Sequence, residues 1–181
     1  MIEMELLGVQ VEMPSNSPMV LLKETEGAGR VLPVVIDTPE AQAIYRGIEG
    51  VRMARPLTHD LIQNLLDDLG ATVSRITVTE VRDRTFFAEI ELELAGVTHV
   101  VSSRPSDAIA IAVRTSSPIY ATEEVLAEAG QYINIPELDD DDHRLHPDDM
   151  LPGEVPDAEP DELIDEFAKF IEDINPEDFG G

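Results

Sequence analysis

Twice in this chain an Arg-Pro corner leads into an apolar run: Arg55-Pro56-Leu57-Thr58-His59-Asp60, and about fifty residues later Arg104-Pro105-Ser106-Asp107. Proline has no N–H for a helix ladder and biases the residue before it toward extended geometry, so each corner turns the chain and then opens a helix. Thr58 and Ser106 are hydroxyl residues suited to cap those helices. Asp60 and Asp107 fall in the first turn, where the positive end of the helix dipole favours an acid. Thr38-Pro39-Glu40 follows the same grammar: cap, proline, acid. Repetition of one corner in so short a chain implies one composite site or one architectural rule used twice.

Between these starts the hydrophobic period switches between two and 3.6. Met1–Met13 alternates as a strand, with Gly8 marking a bulge, and Pro14–Ser17 is a turn. Met19–Glu24 and Arg30–Ile36 complete a meander. Helices follow from Thr38 to about Ile48 and from Thr58 to Leu69, the second with a core stripe of Leu61, Ile62, Leu65, Leu66 and Leu69. Ala71–Arg82, Thr85–Ala95 and Val97–Ser102 read as strands. In the middle one Phe86, Ala88, Ile90, Leu92 and Leu94 face one way and Phe87, Glu89, Glu91 and Glu93 the other, as in a half-solvated antiparallel strand. Asp107–Thr115 is apolar nearly all round and reads as a buried helix capped by Ser106. A short strand, Ile119–Ala121, and a short helix, Glu123–Ala129, follow. The expected class is α+β: a compact mixed or antiparallel sheet packed with three to four helices.

Charge divides the chain. Residues 137–181 hold 18 of the 38 acids with only Arg144 and Lys169 as bases, a local charge of −16 out of −26. We read 1–135 as the folded domain, 136–160 as an acidic Pro- and Asp-rich linker, and 161–181 as an acidic amphipathic helix. Leu163, Phe167, Phe170, Ile171 and Ile174 share one face of that helix. Its acidity disfavours membrane binding, and no apolar run approaches the roughly 18–20 residues of a membrane span. The charged N-terminus has no signal-peptide pattern. The chain has no cysteine, so disulfides, thiolate metal sites and cysteine nucleophiles are excluded. A cytoplasmic location is the expectation. Nine of the ten bases in 1–136 are Arg, which suits bidentate contacts to phosphate or carboxylate.

Glu40, Arg55, His59, Asp60, Arg104 and Asp107 all sit at expected helix starts or in the corners before them. Helix N-termini favour anions, and Arg55 and Arg104, with Ser106, would grip phosphate. His59 would serve as a general base or a metal ligand, while Glu40, Asp60 and Asp107 would hold a divalent ion such as Mg or Mn. Alternatively, the acids only stabilise helix starts and the Arg residues form internal ion pairs with them. Asp139–Asp142 with His143, His146, Asp148 and Asp149 lacks the Gly and Glu spacing of a calcium loop and reads as a solvated linker. No Gly-rich phosphate loop, G-x-S-x-G elbow or H-E-x-x-H is present, and no organic cofactor is expected.

Taken together, Leu32–Ile36, Glu40–Ile44, Arg55–Leu61, Thr85–Ala88 and Arg104–Ala110 resemble the bifunctional nuclease family in order and spacing, across about residues 1–130. The acidic tail and its Phe170–Phe179 ending look like the actinobacterial branch. The resemblance implies a self-associating α+β domain that cleaves DNA and RNA, with Glu40, Arg55, His59, Asp60, Arg104, Ser106 and Asp107 at the matching motif positions. Two functions stay open. One is a hydrolase of phosphodiester bonds, with Glu40, Asp60 and Asp107 on a metal, His59 on water and Arg55 and Arg104 on phosphate. The other is a non-catalytic homo-oligomeric interaction protein whose acidic tail docks a protein partner.

Overall fold

Element boundaries follow the proline and glycine punctuation of the chain. The computed structural model describes residues 1–12 and 17–132, and within them seven strands form one mixed sheet packed with four helices, an α+β fold. Of the turn expected at Pro14–Ser17, Ser17 instead begins the second strand; the rest of that turn, the linker at 136–160 and the helix at 161–181 lie outside the described residues.

Strands β1 (Ile2–Glu12), β2 (Ser17–Glu24) and β3 (Val31–Val35) form one antiparallel meander, and β4 (Ala71–Arg82), β5 (Thr85–Leu94) and β6 (Val97–Ser103) form another. β7 (Ile119–Ala121) lies between their first strands, antiparallel to β1 and parallel to β4, giving the order β3-β2-β1-β7-β4-β5-β6. The bulge expected at Gly8 is present: register shifts between Leu6 and Gly8, whose φ of 137° suits glycine.

Helix α1 (Thr38–Ile48) follows β3, and α3 (Pro105–Thr115) follows β6. Each meander thus ends in a helix with proline in its first two positions, so the rule used twice belongs to Pro39 and Pro105. The Arg55-Pro56 corner instead lies in the exposed connection from α1 to α2 (Thr58–Leu69). Helix α4 (Glu123–Ala129) closes the described chain, with Thr122 Oγ1 accepting from Val125 N as its N-cap.

Three expected caps move by one residue or more. The N-cap positions of α1, α2 and α3 are Asp37, Leu57 and Arg104, none of which makes a side-chain cap. Thr38 and Thr58 are already the first helical residues, and Ser106 is the second. At α2 the reciprocal half of a capping box does form, since Asp60 Oδ2 accepts from Leu57 N at 3.0 Å.

The core is as expected on α3, where Ala108, Ile109, Ala110, Ile111 and Ala112 are buried, and on the inner face of β5 at Ala88 and Ile90. Leu22, Leu32, Ile44, Ile76, Ile109 and Leu126 are fully enclosed, each worth about 1.5–3 kcal/mol of burial. At the β2–β3 turn, buried Glu24 accepts from Arg30, which also grips Glu123. Arg30's hydrogen bonds hold the Glu24 carboxyl below its usual range. The stripe on α2 is corrected: none of its residues is buried, and Leu61, Leu65 and Leu69 are exposed. Polar ties hold α2 instead: Arg114 Nε to Asp60, and Gln63 Nε2 to the Arg114 carbonyl at 3.1 Å. Among the described residues no helix is long and apolar enough to cross a membrane.

Gly47 sets the approach of α1 to α3. A methyl there would meet Val113 Cγ2 at 2.5 Å and Arg114 Nη1 at 2.8 Å. Ala is ordinarily the better helix former by about 1 kcal/mol. Here Gly47→Ala is expected to lower the thermal midpoint, because overpacking costs about 1–3 kcal/mol. A midpoint that rises in a melt followed by circular dichroism would show that α1 is free to move away.

Candidate functional site

Three helices begin with an acid at their third residue: Glu40 in α1, Asp60 in α2 and Asp107 in α3. That position favours negative charge through the dipole and the free N–H groups. The fold gives the three acids different neighbours.

Glu40 and Asp107 meet at Arg104. Nη1 of Arg104 lies 2.8 Å from Glu40 Oε1, while Nε and Nη2 reach Asp107 Oδ2 at 2.7 Å and Oδ1 at 3.1 Å. His59 Nε2 stands 3.2 Å from Asp107 Oδ1. Burial alone would raise the Asp107 pKa, but hydrogen bonds from Arg104 and His59 outweigh it and hold the carboxyl below its usual range. Arg104 is itself pushed above the ordinary arginine range by Asp107 and then Glu40. Its guanidinium remains 62% exposed. Glu40 Oε2 is buried without a hydrogen-bond partner among the described residues, which is costly for a carboxylate oxygen.

These four side chains line one cavity of about 730 Å³, within the size range of small-ligand sites. Its lining includes the charged or ionisable Glu40, Arg46, His59, Arg104 and Asp107 and the aliphatic Ile62, Leu66, Ile90, Leu92, Val101 and Ile111. The apolar side of α2 that was expected in the core therefore borders a hollow. Arg46 lies in the last turn of α1; its carbonyl accepts from Val51 N, but its side chain has no ion pair or hydrogen bond among the described residues. Sequence reading passed over it because it follows no corner motif; its position one helical turn after Gln42 in α1 is the only signal.

The other expected site residues fall elsewhere. Asp60 does not line the cavity. Its Oδ1 receives Arg114 Nε at 2.6 Å, and that hydrogen bond, despite partial burial, holds its pKa below the usual range. Arg114 was not anticipated at all. Its guanidinium is 7% exposed and also donates to the carbonyls of Ala43 and Ala110. Arg55 is exposed and outside the cavity wall, and Ser106 is buried and outside it.

The expected metal trio does not form as a group. Asp60 faces Arg114, whereas Glu40 and Asp107 share Arg104, so guanidinium groups stand where a cation would. No cluster of three or more His, Asp or Glu side chains able to hold a metal ion occurs among the described residues. As arranged, these residues do not fit a divalent ion. The arrangement can instead orient an imidazole. A carboxylate at Nε2 favours the tautomer protonated there, leaving the Nδ1 lone pair to take a proton.

Over residues 20–134 the chain matches the family described as bifunctional nuclease domain. An uncharacterized protein of Mycobacterium tuberculosis is 36% identical over 177 residues, covering 98% of this chain and 97% of its own length. Bifunctional nuclease 1 of Arabidopsis thaliana is 29% identical over 119 residues, 64% of this chain and 37% of the plant protein. Bifunctional nuclease 2 of Oryza sativa subsp. japonica is 28% identical over 116 residues, 62% of this chain and 35% of the plant protein. The chain spans little more than a third of these plant relatives. Every candidate site residue falls within the matched range.

The Asp60–Arg114 pair makes a pH-dependent prediction. A folded-state pKa below the unfolded value contributes stability above about pH 4 that is lost as pH falls through the folded value. Arg114→Met, which leaves Asp60 and two carbonyls without their donor, is expected to cost about 3 kcal/mol at neutral pH. In urea titrations its gap from wild type should narrow toward pH 3. A gap independent of pH would show that the carboxylate is not what Arg114 serves.

Proposed function

The chain belongs to the bifunctional nuclease domain family, and on that premise we propose that it hydrolyses phosphodiester bonds in DNA and RNA, with His59 as the base that activates water. The hydrogen-bonded run His59–Asp107–Arg104–Glu40 in the wall of one cavity carries this reading. Hydrolysis of a phosphodiester needs a base for the attacking water and positive charge near the non-bridging oxygens. Asp107 orients the imidazole and balances the charge it gains on taking a proton. Arg104 is the exposed cation beside it, restrained by Glu40 and Asp107, and Arg46, in the same wall, is a cation with no ion pair among the described residues. Arg55 lies beyond the cavity on an exposed connection, where its phosphate role is that of a flanking contact. A requirement for Mg²⁺ or Mn²⁺ enters this proposal as an arm of its test, and no step is assigned to an ion.

The test is cleavage of labelled single-stranded DNA and RNA by wild type, His59→Gln, Asp107→Asn and Arg104→Met, in Mg²⁺, Mn²⁺ or EDTA. His59→Gln should slow cleavage by about 10²–10⁴, the usual contribution of a general base. Equal cleavage by all four proteins would overturn the assignment. Loss in EDTA would bring a divalent ion into the site, and unchanged rates would leave it out.

A second reading, the homo-oligomeric interaction protein, is favoured by one observation. Leu61, Leu65 and Leu69 on α2 and Val97 and Val100 on the edge strand β6 are all exposed. Self-association would cover them, and the acidic tail would be free to take a protein partner. Light scattering should then report an assembly larger than one chain, which Leu65→Lys with Val100→Lys would break. A monomeric wild type would remove this support.

A further inference from the structure

The cavity that holds His59 is lined by both charged and aliphatic side chains, and it has no Phe, Tyr or Trp. Phosphate chemistry accounts for Arg46 and Arg104 but not for Ile62, Leu66, Ile90, Leu92 and Val101. The described cations are also unevenly used. Arg30, Arg75, Arg82, Arg104 and Arg114 are all in ion pairs. Of the four arginines with no ion pair among the described residues, Arg84 lies in the β4–β5 turn, while Arg46, Arg52 and Arg55 follow one another from the last turn of α1 to the start of α2, two of the three helices that border the cavity. Arg52 and Arg55 are exposed.

We propose that the substrate is a single strand. One unpaired base enters the aliphatic recess formed by Ile62, Leu66, Ile90, Leu92 and Val101, and neighbouring phosphates follow Arg46, Arg52 and Arg55. This deepens the nuclease reading and rests on it. A base pairs an apolar face with a polar edge and carries a phosphate one sugar away, which matches a cavity lined by both aliphatic side chains and arginines. A duplex hides base faces by stacking and edges by pairing, so it presents nothing to an apolar recess unless a base is turned out. Aliphatic walls contact the face of any base, so recognition here is of an unstacked base and not of a particular sequence. The same geometry reconciles an acidic body with a polyanion: the contact is one base and a few phosphates beside the unpaired arginines, away from the Glu-rich outer face of β5.

The test separates the recess from the chemistry. Fluorescence anisotropy of His59→Gln is measured with oligothymidylate, an abasic oligomer of the same length, and a fully paired duplex. Wild type is assayed for cleavage of all three. Oligothymidylate should bind at least about tenfold tighter than the abasic strand, in keeping with one base face removed from water against aliphatic side chains. Ile62→Ser and Leu66→Ser should erase that difference; neither residue is buried, and folding is checked by circular dichroism. Arg52→Ala and Arg55→Ala should weaken both strands alike, each lowering the salt slope by about 0.7. Equal affinity for the base-bearing and abasic strands, or a duplex bound as tightly as the single strand, would overturn the recess. If abasic and base-bearing strands are cleaved alike, the recess falls and the nuclease stands. Base-dependent binding without cleavage keeps the recess and sinks the nuclease. Neither binding nor cleavage sinks both.

Discussion

Arg114 holds three helices in one arrangement, and the site depends on it. A buried guanidinium is costly unless its donors are answered, and here they meet the Asp60 carboxylate on α2, the Ala43 carbonyl on α1 and the Ala110 carbonyl on its own helix. Gly47 permits the approach, because any side chain there would strike Arg114 and Val113. His59 is the neighbour of Asp60, Arg46 lies one turn along α1 from Ala43, and Asp107 lies one turn before Ala110. Fixing one guanidinium therefore sets the distances among the groups that border the cavity. Apolar packing cannot do this for α2, which buries none of its residues.

Much of the fold was legible because its signals are local. Alternation over Thr85–Leu94, the bulge at Gly8 and the apolar run of α3 each state their structure within a few residues. What was not legible depends on distant partners. Leu61, Leu65 and Leu69 repeat at core spacing, yet spacing says only that they share a face, not that anything covers it. The position of β7 between β1 and β4 has no sequence mark at all. For the site, His59, Asp107, Arg104 and Glu40 were found because helix starts have recognisable punctuation. Arg114 and Arg46 were missed because they lie at helix C-terminal turns, where a base reads as ordinary dipole compensation. Telling Asp60 from Asp107 needed the partner of each, and those partners are 54 and 3 residues away.

The acidity of the chain looks hostile to a polyanion, but placement matters more than the total. Fields between exposed charges fade over about 8 Å at physiological salt. Glu24, Glu80 and Glu91 are each paired with an arginine. Within the cavity the charges of Glu40 and Asp107 are balanced by Arg104, which pairs with both, together with Arg46, whose side chain has no ion pair among the described residues. Binding should accordingly be weak at long range and governed by contact, in contrast with proteins steered by a broad basic face.

The two arginine–aspartate pairs show how one chemistry divides into architecture and site. Both join an acid at the third position of a helix to a guanidinium, at 2.6 Å for Asp60–Arg114 and 2.7 Å for Asp107–Arg104. The first arginine side chain is 7% exposed, with the Ala43 and Ala110 carbonyls on its Nη1, so it is held within the structure. The second is 62% exposed and bound only by carboxylates. Arg104 therefore keeps a face open to solvent, whereas Arg114 is spent on the packing of the helices. The repeated corner of the sequence thus resolves into one pair that keeps the helices still and one left open to solvent.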